Sequence, residues 1–132
     1  MSHGAATPPI SHLRSHFVPR NTDGAAYDRT LADWTADATW RDWDLSAIVP
    51  AGATAIVLNF YIKNNTYSEY LAFRRNGNSN TIEVLKGTVM KTNADQWFAG
   101  IVPCDDGRVI EYCATNGGTW ASLSAVVMGW YT

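Results

Sequence analysis

The chain reads as an all-β protein: an antiparallel β-sandwich, jelly-roll-like, of about eight strands, led by an extended N-terminal arm. Three observations predict this. Residues 55–62 alternate strictly, with Ile56, Leu58, Phe60 and Ile62 on one face and Ala55, Val57, Asn59 and Tyr61 on the other, the period-two signature of a half-buried strand. Turn signals separate further strand-like runs at roughly 8–12-residue intervals. No stretch sustains a helical period. The organisation divides into an arm over residues 1–36 and a sandwich over residues 37–132.

The arm is set apart by its composition. Its first 30 residues hold three of the five prolines and all three histidines, without periodicity. Fully extended, they span roughly 100 Å. Fixing a backbone costs about 1–2 kcal/mol per residue, and the arm offers few apolar anchors against that: Ile10, Leu13, Phe17, Val18 and Tyr27. Such a segment is expected to gain order by docking on a folded body, a neighbouring subunit as well as its own sandwich.

The sandwich opens with a short strand ending near Leu45–Ser46, anchored by Trp40, Trp43 and Leu45, and Pro50-Ala51-Gly52 connects it to the alternating strand. Tyr70 to Arg75 follows, then an Asn-rich loop over residues 76–80, and a strand over residues 81–90 in which Gly87 marks a bulge or break. Residues 96–104 form the next strand. Asp106-Gly107, flanked by Ile101-Val102 and Val109-Ile110, predicts a two-residue hairpin. Arg108 to Thr115 returns, Asn116-Gly117-Gly118 turns, and residues 121–131 form the final strand. Its alternation puts Leu123, Ala125, Val127 and Gly129 on one face and Ser122, Ser124, Val126, Met128 and Trp130 on the other.

A net charge of −2 argues against a general nucleic-acid binder. No run of 18 apolar residues predicts a membrane span, and no basic-then-apolar leader predicts secretion, so assembly in a cytoplasm is expected. Charged residues are only 17% and aromatics 12%, including six Trp, which suggests a surface partly covered by other protein.

No constellation points to an enzyme. In the predicted hairpin register, Cys104 and Cys113 share a face about four rungs apart, roughly 13 Å, whereas a disulfide needs Cα atoms within about 7 Å. Two free, buried thiols are expected, with no adjacent histidine to activate them. His12 and His16 have i,i+4 spacing, but Pro8-Pro9 precedes them, and with His3 they are expected to line a solvated or interfacial arm, not a metal site. Asp42 and Asp44 share one side of a strand, and charged solvation of a sheet edge accounts for them. No phosphate-binding glycine loop or Gly-x-Ser-x-Gly elbow is present, and no cofactor is predicted. Arg74 and Arg75, beside the Asn-rich loop, are expected to be solvated turn charges. The better lead is aromatic: Tyr61, Tyr67, Tyr70, Trp97 and Trp120 are candidates for outer faces or loops, serving a subunit interface first and a stacked glycan second.

Four stretches carry a family likeness: Asp44-Leu45-Ser46, Pro50-Ala51-Gly52-Ala53, Phe73-Arg74-Arg75-Asn76-Gly77-Asn78 and Gly129-Trp130-Tyr131. With the residues around them they resemble small β-sandwich modules of virion proteins in tailed bacteriophages and their prophage relatives, over about residues 37–132. The resemblance implies a jelly-roll-like module in a particle, assembled in the host cytoplasm. The expectation is a non-enzymatic virion structural protein, a capsid decoration or tail component. It would form a homo-oligomer, with a trimer as the first guess, and contact other virion proteins. A glycan- or receptor-binding module of a phage fibre is the alternative, with a host glycan as ligand. No binding residue is carried over from the family.

Overall fold

The computed structural model describes residues 16–20, 26–80 and 82–132. Among the described residues there are eight strands: β1 (Phe17–Pro19), β2 (Arg41–Asp44), β3 (Ala55–Asn64), β4 (Tyr70–Arg75), β5 (Leu85–Thr88), β6 (Gln96–Pro103), β7 (Val109–Ala114) and β8 (Trp120–Tyr131). They form two four-stranded sheets, a front sheet in the order β1-β8-β3-β6 and a back sheet in the order β2-β7-β4-β5. The pairs β1/β8, β2/β7, β3/β6 and β4/β5 are all antiparallel and nest one inside the next. This is a long hairpin rolled into two sheets, the jelly-roll arrangement, so the expected all-β sandwich is what forms.

The alternation in β3 sets the core. Ile56, Leu58, Phe60 and Ile62 are fully buried; they lie beside Leu123 and Val127 of β8 and pack in one core with Leu71 and Phe73 of β4 and Ile110 of β7 from the back sheet. Phe60 and Phe73 meet edge to face at 5.0 Å, tying the two sheets together. Each such side chain contributes about 1.5–3 kcal/mol on burial, as an upper bound.

Several connections differ from the sequence expectation. Asp106-Gly107 does make a turn, with Arg108 N–H donating to the Asp105 carbonyl at 2.9 Å. It does not make a hairpin, because β6 belongs to the front sheet and β7 to the back. The chain crosses between layers there, and Asp105 fastens the crossing: its carboxylate accepts from Asn76 Nδ2 at 2.7 Å and Val109 N–H at 2.9 Å. Pro50-Ala51-Gly52 likewise leads from the back sheet to the front. The strand expected over 81–90 shortens to Leu85–Thr88. Its Gly87 is a point of close approach, since a Cβ there would lie 2.6 Å from the Phe60 ring and 2.7 Å from that of Phe98. In β8, a register shift opposite Val57/Leu58 turns Trp130 inward, opposite Ile56, against the face its alternation predicted. Gly129 leaves room for Phe17, whose ring would lie 2.6 Å from a Cβ there.

The sequence division at residue 36 also falls elsewhere in space. β1 pairs with β8 of its own protomer, and Arg29 makes a bridge to Ala125. Trp34 enters the core, stacked edge-on against Trp43 and Tyr112 at 5.5 and 4.9 Å, and its indole N–H donates to the Leu123 carbonyl at 2.9 Å. The Arg29 guanidinium lies 5.0–5.1 Å from the Trp34, Trp43 and Tyr112 ring centres. An isolated Trp without periodicity gives no strand signal, which is why this segment read as arm.

Trp34→Ala is expected to cost about 3–5 kcal/mol, measured by urea denaturation. The Asn76 and Val109 contacts hold the Asp105 carboxyl below the usual carboxylate range. A lowered folded-state value stabilises above the unfolded one, about pH 4. The stability gap between wild type and Asp105→Asn should therefore be full above that pH. It should close as the pH falls through the folded-state value, as read from denaturation midpoints across acid pH.

Candidate interaction faces

The two sheets present very different outer surfaces. In the front sheet, Lys63 is the sole charged residue among the four strands. Its outward side chains include Val57, Asn59 and Tyr61 of β3, Val126 of β8, and Trp97, Ala99 and Ile101 of β6. Trp97 is 59% exposed, Ile101 54% and Met128 47%. Tyr61 stacks on Trp97 at 4.4 Å between ring centres, and Tyr27 leans on Tyr61 at 5.5 Å. Among the described residues, β6 pairs with β3 alone and forms an edge of the sheet.

The back sheet carries Arg41, Asp42, Asp44, Arg74, Arg75, Lys86 and Glu111 in its strands. Arg74 Nε donates to Glu111 at 2.6 Å in a half-buried pair. Its guanidinium also lies 4.0 Å from the Trp40 ring centre, and the Lys86 ammonium lies 4.1 Å from that of Tyr70. Between these pairs is a shallow trough of about 120 Å³ lined by Trp40, Tyr70, Ala72, Val84 and Lys86. Ala72 stands opposite Cys113 on β7 and Lys86 on β5, so small buried side chains lie at mid-sheet. A larger opening of about 300 Å³ lies where β5 stops short of the end of β6, between Ile82, Leu85, Ile101 and Pro103.

Of the aromatics singled out from sequence, Tyr61 and Trp97 come together on the front face, joined by Tyr27. Tyr70 lies on the back face. Tyr67 is exposed in the turn between β3 and β4. Trp120 is half-buried against the core, with its indole N–H donating to the Thr115 carbonyl at 2.8 Å. Among the arm residues, Phe17 packs beside Tyr131 at 5.5 Å and Val18 pairs with Trp130. Ile10 and Leu13 lie outside the described residues, as do His3 and His12.

Cys104 and Cys113 are free and buried, as expected, but not for the reason the hairpin register supplied. Cys104 joins the core beyond β6, whereas Cys113 faces outward from β7, on the other sheet. Burial pushes both thiols up in pKa. Asp44 is used locally, accepting from Ser46 N–H at 2.9 Å, which holds its carboxyl low, and β2 is an edge strand. No cluster of three or more His, Cys, Asp or Glu able to hold a metal ion occurs among the described residues. Sequence reading missed Trp40 and Lys86 as surface partners. It took Trp40 as a strand anchor, and only the sheet order brings β5 beside β4. The uninterrupted uncharged run of β6, Gln96–Pro103, was the available signal for the front face.

No protein-family model matches the chain, and no curated protein shows significant similarity to it.

Proposed function

We propose that this chain is a non-enzymatic assembly module whose jelly roll joins copies of itself through the outer face of the front sheet. The setting implied by its sequence resemblance is the virion of a tailed bacteriophage, as a capsid decoration or tail component. The observation that carries the reading is the division of charge between the sheets: one charged strand residue in front, against seven behind. Antiparallel sheets that face water ordinarily alternate apolar and polar residues. A face depleted of charge and enriched in aromatics has the composition of an interface core. Exposed Trp97, Ile101 and Met128 are costly to leave in water and invite association. An uncharged edge such as β6 is also unprotected against strand pairing, so a neighbour beside it removes a hazard.

The same geometry weighs against the front face as a glycan platform. Tyr61 and Trp97 stack on one another, so each spends a ring face on its partner. The jelly roll itself serves capsid and lectin domains alike and does not choose between them.

Trp97→Lys and Ile101→Lys place a charge on this face without touching the core. Each is expected to weaken self-association by about thirtyfold or more, the effect of losing a hot spot of about 2 kcal/mol. Sedimentation equilibrium reads the mass, against the trimer expected from sequence, and circular dichroism checks the fold. A wild-type monomer at all concentrations overturns the reading. Removing residues 1–15 leaves β1 in place and is expected to leave the sandwich folded while reducing incorporation into the particle, measured by copy number per particle.

A further inference from the structure

Independently of assembly, we propose that Asn116 is the position at which the folded protein is modified without any enzyme, by deamidation, and that Glu69 governs the rate. The chain holds two Asn-Gly dipeptides, Asn76-Gly77 and Asn116-Gly117. This pairing is the most open to the reaction, because glycine carries no side chain to hinder attack by its nitrogen. Hydroxide removes the glycine amide proton, and the nitrogen attacks the asparagine Cγ. The new C–N bond closes a succinimide, while the side-chain nitrogen takes a proton from water and leaves as ammonia. Water then adds to one of the two ring carbonyls and opens the ring. Breaking the bond from nitrogen to the side-chain carbonyl leaves aspartate; breaking the bond to the backbone carbonyl leaves isoaspartate.

Both attacking nitrogens are held by a carboxylate. The Gly117 N–H donates to Glu69 Oε1 at 2.6 Å, and the Gly77 N–H to Glu111 Oε2 at 3.0 Å. A hydrogen bond to a charged acceptor opposes loss of the amide proton, and the nitrogen must give up that bond before it reacts. The two sites differ in the other reacting group. Asn76 is pinned as well: its Nδ2 donates to Asp105 at 2.7 Å, and Glu111 is itself fixed by Arg74 at 2.6 Å. Asn116 is exposed, and among the described residues no hydrogen bond holds its side chain. One lock guards Asn116 and two guard Asn76, so Asn116 reacts first. The guard at Gly117 also demands the labile residue, since a Cβ there would lie 2.5 Å from the Glu69 carboxyl carbon. The turn has no slack for the product either. Isoaspartate adds one backbone carbon between β7 and β8, where a Cβ on Gly118 would already lie 2.5 Å from Asn65 Oδ1.

The test follows both asparagines by peptide mapping and mass spectrometry in the full-length protein, held in alkaline buffer either folded or unfolded in urea. In the folded protein Asn116 is expected to convert about tenfold faster than Asn76, the difference made by one more hydrogen bond to a charged group. In urea both are expected to speed up and the gap to close. Glu69→Ala is expected to speed Asn116 about tenfold and to leave Asn76 at its wild-type rate, with circular dichroism checking the fold. Asn76 converting as fast as Asn116 in the folded wild type overturns the proposal. A gap that persists in urea overturns it too, since its cause is then the local sequence. So does an Asn116 rate in folded Glu69→Ala at or below that of the wild type. Glu69→Gln keeps the size of the side chain and removes its charge, and it is expected to speed Asn116 as well. An unchanged rate in that variant overturns the proposal if Glu69→Ala does not fold.

Discussion

Strand β3 is hydrogen-bonded on both sides, to β8 and to β6, and its register on each is set by four buried side chains. A slip by one residue would send Ile56, Leu58, Phe60 and Ile62 into water and bring Asn59 and Lys63 into the core. Everything else accommodates that constraint. Phe60 reaches across to Phe73 and makes the two sheets one body. Gly87 and Gly100 yield space at the corner where the sheets come closest: added Cβ atoms there would press on Phe60 and on Leu85 at 2.6 Å each. The register shift in β8 lets Trp130 reach the same core without breaking the pairing further along.

The inner face of a sandwich is dictated by water, but the outer faces are free to differ, and here they do. The back sheet follows the ordinary rule for a solvated surface, with an ion pair and two cation–π contacts holding long side chains flat against it. The front sheet departs from that rule along its whole width. Apart from Lys63, its polar outward groups are short or neutral, Asn59 and Ser124 among them, and Asp28, which reaches the far side of β8, is already paired with Arg20 at 2.6 Å. Such a surface gives up solubility that a few lysines would have restored. The two faces therefore differ in chemistry: uncharged and aromatic in front, charged behind.

Much of this was legible in the residues, and what was not has physical causes. The period-two pattern of β3 and the extent of β8 need only local information, so both were readable. Sheet membership was not. Asp106-Gly107 carries turn chemistry, but turn chemistry acts over four residues and is blind to which layer the next strand joins. The free state of the cysteines was anticipated through a pairing that does not exist. Trp34 shows the limit most clearly: one large residue, with no neighbour in phase, is buried in the core, whereas Phe17 and Tyr27, named as arm anchors, stay exposed. Its signal was its size alone. Tyr61 and Trp97 were found because outward aromatics on strands stand out in any register. Trp40 meets Arg74, and Lys86 meets Tyr70, only through the order of the back sheet, and no spacing along the chain encodes that.

The nesting of the strand pairs has a consequence for how the protein is made. β4 and β5 lie closest in sequence, but β1 and β8 enclose everything between them. Until β8 leaves the ribosome, β1 has no partner and one side of β3 remains unpaired. A nascent chain thus carries an unpaired β1 and at least one open side of β3 for most of its synthesis. Sites of chaperone engagement on this protein should accordingly cluster on the front-sheet strands, which close only when the last of them arrives.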